Sequence, residues 1–265
     1  MFGAIIGDII GSRYEFANIK TKEFDLFHRR CEFTDDTIMT IAVAKALSQY
    51  DKITGLEDFK KTLVATMHEV GLTYPCAGYG MRFGEWLWRK QTEPYNSFGN
   101  GSAMRVSPVA WYANSLEETE ALAKATAEVT HNHPEGIKGA QAIASAIYLA
   151  RTGKTKEEIR QYITETYYTI DFILDEIRPT YRFDVTCQGS CPQALQAFFE
   201  SIDFEDAIRN AISIGGDSDT IAAMTGAIAE AYYGIPEDIN AKALSYLDSC
   251  LTKELNKISF YPPQK

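Results

Sequence analysis

Apolar residues recur at helical spacing along most of this chain. "TIMTIAVAKALSQY" (37–50) sets Ile38, Ile41, Ala42, Ala44 and Leu47 on one broad face. "EETEALAKATAEVT" (117–130) is made of strong helix formers. "IKGAQAIASAIYLART" (137–152) is rich in small residues, which let helices approach closely. "EEIRQYITETYY" (157–168) follows Thr155, an N-cap with Glu158 three residues on. "CPQALQAFFES" (191–201) carries Pro192 where a first-turn proline is tolerated. Gly215 and Gly234 stop the helices predicted over 204–215 and 220–234. A last helix is predicted over 239–258, before "YPPQK". Period-2 alternation is scarce, and "RFDVTC" (182–187) is the one passable strand. The stretches 11–33, 71–108 and 169–189 read as loops that punctuate a helical body without dividing it. The pattern predicts an all-α fold, a single compact helical domain over 1–265 packed around a central helix or two.

Composition narrows the function. With 265 residues, 45% of them hydrophobic, the chain can fill one large core or two small ones. A net charge of −10 argues against broad nucleic-acid or anionic-membrane binding, but leaves room for a small anion in a locally positive pocket. The first residues have no basic leader and carry Asp8 inside their apolar run, so they read as neither signal peptide nor membrane span. Five scattered cysteines read as reduced thiols in a cytoplasmic protein. Only Cys187 and Cys191 are close, without a second pair to complete a zinc site.

Two acidic clusters stand directly before predicted helices. "FTDDT" (33–37) supplies Thr34, Asp35 and Asp36, and "SIGGDSDT" (213–220) supplies Asp217, Asp219 and Thr220. Either alone reads as an N-cap, since Asp and Thr oxygens satisfy the first free amides. Three oxygen-bearing side chains at each start exceed what one cap needs. If the two starts meet, four carboxylates converge, and two such charges ~4 Å apart repel by roughly 4 kcal/mol at an effective dielectric near 20. Either the carboxylates bind protons or divalent cations sit between them. Hard oxygen donors suit Mg²⁺ or Mn²⁺, and two ions sharing a bridging carboxylate use the ligands more fully than one; such a pair can activate water. Gly215 and Gly216 permit a sharp bend that aims both aspartates the same way, although a helix-ending glycine accounts for one of them. Nothing in the spacing alone brings the clusters together.

"GAIIGDIIGSRYEF", "FTDDT", "GNGSAMRVSP", "THNHPEG" and "IGGDSDTIAAMTGAIAEAYYG" occur in this order over positions 3–234. Together they resemble the ADP-ribosylglycohydrolase family, which includes the dinitrogenase reductase-activating glycohydrolase. The resemblance implies an all-α fold with a binuclear metal centre of Mg²⁺ or Mn²⁺ in a cleft. Its ligand positions are Thr34, Asp35, Asp36, Asp217, Asp219 and Thr220, all intact. By resemblance Glu15 positions the scissile bond or activates water; the alternative is a solvated loop carboxylate. Asp8 needs buried partners and is expected hydrogen-bonded behind the site. "NSFGNGSAMRVSP" (96–108) is similar to the family's ADP-ribose loop. There Ser97 belongs to the loop, Gly99, Asn100, Gly101 and Ser102 would face the diphosphate with their amides, and Phe98 would lie against adenine or a ribose. Arg105 either neutralises phosphate or pairs with a carboxylate. His131 would bond phosphate, whereas His133 reads equally as a surface residue. Gly78 and Tyr79, in "AGYG", would line the ribose or form a flexible turn.

The activity implied is metal-dependent hydrolysis of the glycosidic bond between ADP-ribose and an attached group, on an ADP-ribosylated protein or a small ADP-ribose conjugate. Water would attack the anomeric carbon through an oxocarbenium-like state, with Glu15 or Asp36 accepting its proton and Asp217 also catalytic. A non-catalytic ADP-ribose-binding protein and a two-metal diphosphate hydrolase are the alternatives. Arginine, serine, acetate and nucleobase conjugates all stay open, so an ADP-ribosylated base is retained while nucleic acid as such is disfavoured. Glu15 favours oxygen-linked substrates over arginine. Selectivity is assigned to the loops at 11–33 and 169–189. The choice between Mg²⁺ and Mn²⁺ and the oligomeric state are not fixed by the sequence.

Overall fold

A computed structural model, describing residues 1–50 and 55–261, gives a body of helices with no strand among the described residues. The first four are α1 (Phe2–Ser12), α2 (Asp35–Ser48), α3 (Leu56–Gly71) and α4 (Met81–Trp88). The short α5 (Gly101–Met104) and α6 (Ser107–Tyr112) lead into α7 (Leu116–Glu128), α8 (Pro134–Arg151) and α9 (Lys156–Thr166). After α10 (Leu174–Ile177) come α11 (Cys187–Glu200), α12 (Phe204–Ser213) and α13 (Ser218–Tyr233). α14 (Glu237–Leu244) and α15 (Ser249–Leu255) complete the order. None of these helices is long and apolar enough to cross a membrane.

The central helix is α13. Every residue from Ser218 to Glu230 is buried, as expected of a helix that is apolar or small on all sides. α1 runs against it along a seam of small residues. Gly3, Gly7 and Gly11 recur every fourth position and so share one face. A Cβ at Gly3 would lie 2.1 Å from the Gly226 carbonyl oxygen, and one at Gly7 would lie 2.1 Å from that of Ala222. A Cβ at Gly11 would lie 2.5 Å from the Cα of Asp219. The two backbones therefore touch, from the middle of α13 down to its acidic start. α8, α11 and α12 close the other sides of α13, and α2 packs on α1, α3 and α6.

Several sequence expectations hold and several do not. Thr155 and Glu158 form a reciprocal capping box at α9, and Gly234 ends α13 with φ of 79°. "RFDVTC" forms no strand; it meets the 97–101 loop through one isolated bridge, Gly99 to Thr186. α11 begins at Cys187, not 191, because the Thr186 hydroxyl caps it by accepting from the Gly189 N–H. Pro192 consequently sits inside the helix, past its first turn. The helix expected over 239–258 is two, because Asp248 starts α15 by accepting from the Cys250 and Leu251 amides at 2.9 Å. The expected 71–108 loop contains α4 and α5. The last four residues of "YPPQK" lie outside the described residues.

Candidate active site where two helix starts meet

Asp8 explains how the two acidic clusters come together. It lies on α1, one turn from Gly11, and is fully buried. Its Oδ2 accepts from the Thr34 amide (2.9 Å), the Thr37 amide (3.0 Å) and the Thr37 hydroxyl, and its Oδ1 accepts from the Thr34 hydroxyl (2.7 Å). α1 thus grips the start of α2 through Asp8 and the start of α13 through Gly11. The expected place of Asp8 behind the site is borne out. The clusters touch directly, since the Thr220 hydroxyl donates to Asp36 Oδ2 at 3.1 Å across 184 positions of sequence.

Glu15 leaves the end of α1 and joins them. One carboxylate oxygen each from Glu15, Asp217 and Asp219 can be chosen so that all lie within 4.8 Å of one another. Asp35 donates its amide to the Ala77 carbonyl (2.8 Å), and a Cβ on Gly78 would lie 3.4 Å from Asp35 Oδ1. The "AGYG" loop therefore backs the cluster. No lysine or arginine pairs with these carboxylates among the described residues. Burial, reinforced by the neighbouring carboxylates, pushes Asp35, Asp36 and Asp219 well above the usual carboxyl range. Burial also raises Glu15 to about 7, with Asp217 and Asp8 adding to it. Burial raises Asp8 to about 6 against the opposing pull of its Thr34 and Thr37 hydrogen bonds. Asp217 is raised by burial while the Asn100 amide, donating at 2.7 Å, draws it down. Asp36 Oδ1 is buried and has no partner among the described residues. Hard oxygens, an orphaned buried lone pair and the lack of a protein cation make a donor set that suits divalent ions.

Above the cluster opens a cavity of about 460 Å³, large enough for a nucleotide-sized ligand. Glu15, Asp35, Asp36, Asp217, Asp219 and Thr220 line it, with Gly78, Ser97, Gly99, Asn100, Gly101, Arg105 and His131. Thr34 lies beneath, held by Asp8.

The glycine loop is wired differently from expectation. The Gly99 amide donates to Ser97 Oγ and the Asn100 amide to the Val185 carbonyl, so neither is free to meet an anion. Of the four amides from Gly99 to Ser102, those of Gly101 and Ser102 find no protein acceptor among the described residues. The Asn100 side chain faces Asp217, and the Ser102 hydroxyl turns away to the Gly136 carbonyl (2.7 Å). Phe98 is outside the cavity, its ring 5.3 Å from that of His133, and Tyr79 is also outside, donating to the Gly71 carbonyl. His133 caps α8 by accepting from the Glu135 amide. Arg105 pairs with no carboxylate among the described residues; it is buried and donates to Thr126 O and Thr130 Oγ1.

The cavity also has a rim that the sequence did not disclose. Phe16 and Phe183 stack at 6.2 Å over its mouth, exposed, with Val185 beside them. Arg82 and Tyr95 form the opposite wall, the Arg82 guanidinium donating to the Tyr95 carbonyl. Phe16 could have been suspected from its place next to Glu15. Phe183 carries no local signal, since only folding brings it there.

A helical body whose two acidic helix starts floor a nucleotide-sized cavity beside a glycine loop defines a helical hydrolase. Residues 1–259 match the family model described as ADP-ribosylglycohydrolase, and the chain belongs to that family. It is accordingly an enzyme that hydrolyses the glycosidic bond between ADP-ribose and an attached group. Human ADP-ribosylhydrolase ARH3 is 28% identical over 339 aligned positions, covering 97% of this chain and 91% of that protein. ADP-ribosylarginine hydrolase Tri1 of Pseudomonas putida is 27% identical, with 96% of this chain and 76% of that one covered. A solved structure described as an ADP-ribosylglycohydrolase-related protein complex has the same fold, with a TM-score of 0.68 at 22% identity over 98% of this chain and 96% of that one.

Proposed function

We propose that the chain removes ADP-ribose from modified protein side chains or small conjugates, with two divalent cations, Mg²⁺ or Mn²⁺, held by Thr34, Asp35, Asp36, Asp217, Asp219 and Thr220. The contact between Thr220 and Asp36 carries this reading, because it brings both acidic clusters to one floor. Such ions, when bound, offset the mutual repulsion of the carboxylates, orient ribose hydroxyls and make water more acidic. The remaining work falls to the chain. Glu15, grouped with Asp217 and Asp219, takes the proton from the attacking water. Asn100 fixes the Asp217 carboxylate. The free Gly101 and Ser102 amides and His131 receive the diphosphate, with the buried Arg105 charge behind His131. Five free cysteines, three of them buried, support a reducing compartment such as the cytoplasm.

The test is product analysis with a panel of ADP-ribose conjugates and Mg²⁺ or Mn²⁺. Free ADP-ribose, lost on chelation, is the expected result. AMP would mean diphosphate cleavage, and tight binding without product would mean a sensor. Asp217→Asn should fall to about a hundredth to a thousandth of wild-type turnover, the scale of losing one electrostatic stabiliser, with helix content unchanged. Full activity of that variant in excess Mg²⁺ would refute the ligand roles.

A further inference from the structure

Behind the glycine loop lies a short polar chain that ends in the cavity. Arg105, Thr130 and His131 are all buried. Arg105 Nη2 donates to the Thr126 carbonyl (3.0 Å) and to Thr130 Oγ1 (2.7 Å). Thr130 Oγ1 lies 2.7 Å from His131 Nδ1. A guanidinium can only donate, and a threonine hydroxyl has one hydrogen to give. Thr130 Oγ1 therefore accepts from Arg105, and His131 Nδ1 is the one acceptor its own hydrogen meets among the described residues. A proton on Nδ1 would either set two hydrogens against each other or turn the buried Thr130 hydroxyl hydrogen away with no other acceptor among the described residues.

We infer that Arg105 and Thr130 lock His131 as the neutral Nε2–H tautomer, and so make it a fixed hydrogen-bond donor to a phosphate oxygen of the substrate. Nε2 has no protein partner among the described residues and looks onto the glycine loop. A Cβ at Gly101 would lie 3.1 Å from it and one at Gly99 3.6 Å, so the loop leaves open the space in front of this nitrogen. The same surroundings oppose an imidazolium. Burial, then Arg105 and Arg82, hold His131 well below the ordinary histidine range. Arg105 and Thr130 are positioning residues, acting on the substrate through His131. The donor role rests on reading the cavity as an ADP-ribose site; the tautomer does not.

Two measurements separate these halves. The chain has four histidines, so a long-range proton–nitrogen spectrum of wild-type protein labelled at histidine, with His131→Gln for assignment, reads the ring directly. At neutral pH the expected signature is a bare Nδ1 and a protonated Nε2; a protonated Nδ1 or a doubly protonated ring overturns the inference. The second measurement uses ADP-ribose as probe on Thr130→Val and Thr130→Ser. Thr130→Val should weaken ADP-ribose binding, and raise KM for a conjugate, about tenfold, the scale of one hydrogen bond to a charged group. Its kcat should change less than about twofold, because the effect is on binding in both ground and transition states. Thr130→Ser keeps the hydroxyl and should restore both the affinity and the tautomer. Equal binding by the two folded variants overturns the relay. If Thr130→Val does not fold, the wild-type spectrum and the Thr130→Ser affinity still decide. Failure of the wild-type protein to bind ADP-ribose overturns the substrate reading and the donor role with it, while the spectrum alone rules on the tautomer.

Discussion

The starts of α2 and α13 carry nearly the same side chains and are built in opposite ways. α2 has a self-made cap, with Thr34 Oγ1 accepting from the Asp36 amide (3.3 Å), and Asp8 pins it from below. The N-cap residue of α13 makes no cap bond; Asp217 stands there with φ −78° and ψ 73° and its side chain bonds no helix amide. Its direction comes from the backbone before it. Gly215 and Gly216 both have positive φ, 69° and 78°, a region in which other residues are strained. The turn is then held from outside by Asn18, bonded to Gly216, and by Lys20, donating to the Ile214 carbonyl. An oxygen-rich helix start is thus two different objects. At α2 a threonine does the capping and leaves the aspartates to the site. At α13 the N-cap side chain bonds no amide, Asp219 Oδ1 takes only the Thr220 amide (3.0 Å), and a bent backbone aims the carboxylates.

The seam between α1 and α13 serves both starts, so breaking it should have the largest effect. Gly7→Val would put a branched side chain where even a Cβ lies 2.1 Å from the Ala222 carbonyl oxygen. Overpacking of this kind costs about 3 kcal/mol or more when backbone must move. Urea denaturation followed by far-UV circular dichroism should show an early or uncooperative transition. A wild-type midpoint would mean that the seam is looser than these contacts require.

Asp8→Ala separates the two starts. It removes the acceptor of two amides and two hydroxyls at α2 and leaves the α13 turn untouched. With buried donors left unsatisfied, each worth about 1–3 kcal/mol, a loss near 3 kcal/mol is expected, along with most of the activity. Activity near wild type in the folded fraction would show that α2 keeps its place without Asp8.

The sequence showed most of the helices and the identity of the acids, but not why they meet. The reason is physical. α1 is carried by glycines at 3, 7 and 11, which lower helix propensity by about 1 kcal/mol each relative to alanine and so hide a helix whose function is close approach. α4, α5, α10 and the true start of α11 were lost inside stretches read as loops. The resemblance singled out Gly101 and His131, and both line the cavity. It did not foresee that the Gly99 and Asn100 amides are already bonded, or that Phe98 and Tyr79 turn to His133 and Gly71, because where a group points depends on partners that only folding brings near. Phe183 and Asn18 left no local trace for the same reason.

The crowding of carboxylates predicts an inverted pH response in metal-stripped protein. An acid whose folded value lies above its unfolded one, about 4, contributes stability that is full below that unfolded value. The contribution is lost as pH rises through the folded value. Asp8 at about 6, Glu15 at about 7 and the still higher Asp35, Asp36 and Asp219 all act in this sense. Chelator-treated protein should therefore melt at a higher temperature at pH 5 than at pH 7.5. Excess Mg²⁺ or Mn²⁺ should stabilise it more at pH 7.5, by roughly 2–3 kcal/mol at a hundredfold excess over Kd. A melting temperature that rises with pH in the chelated protein would count against the cluster as a cation site.

The smallest effect, and the one most specific to α13, belongs to Asn18. Its amide nitrogen donates to the carbonyls of Tyr14 (2.7 Å), Glu15 (2.9 Å) and Gly216 (2.9 Å), and its oxygen accepts from the Gly216 amide (2.7 Å). One exposed side chain thereby ties the Glu15 loop to the turn that aims Asp217 and Asp219. Asn18→Ala should cost only about 1 kcal/mol of stability, as expected of hydrogen bonds reached by water. It should lower kcat/KM roughly tenfold, because loosening a catalytic group by a fraction of an ångström is felt strongly. Asn18→Asp sharpens the test. It keeps the acceptor for Gly216 but turns a carboxylate oxygen toward three carbonyls, beside carboxylates already unpaired. If Asn18 works by clamping, Asn18→Asp should be the worse enzyme of the two. If it merely fills space at the surface, Asn18→Asp, being nearly isosteric, should be the better one.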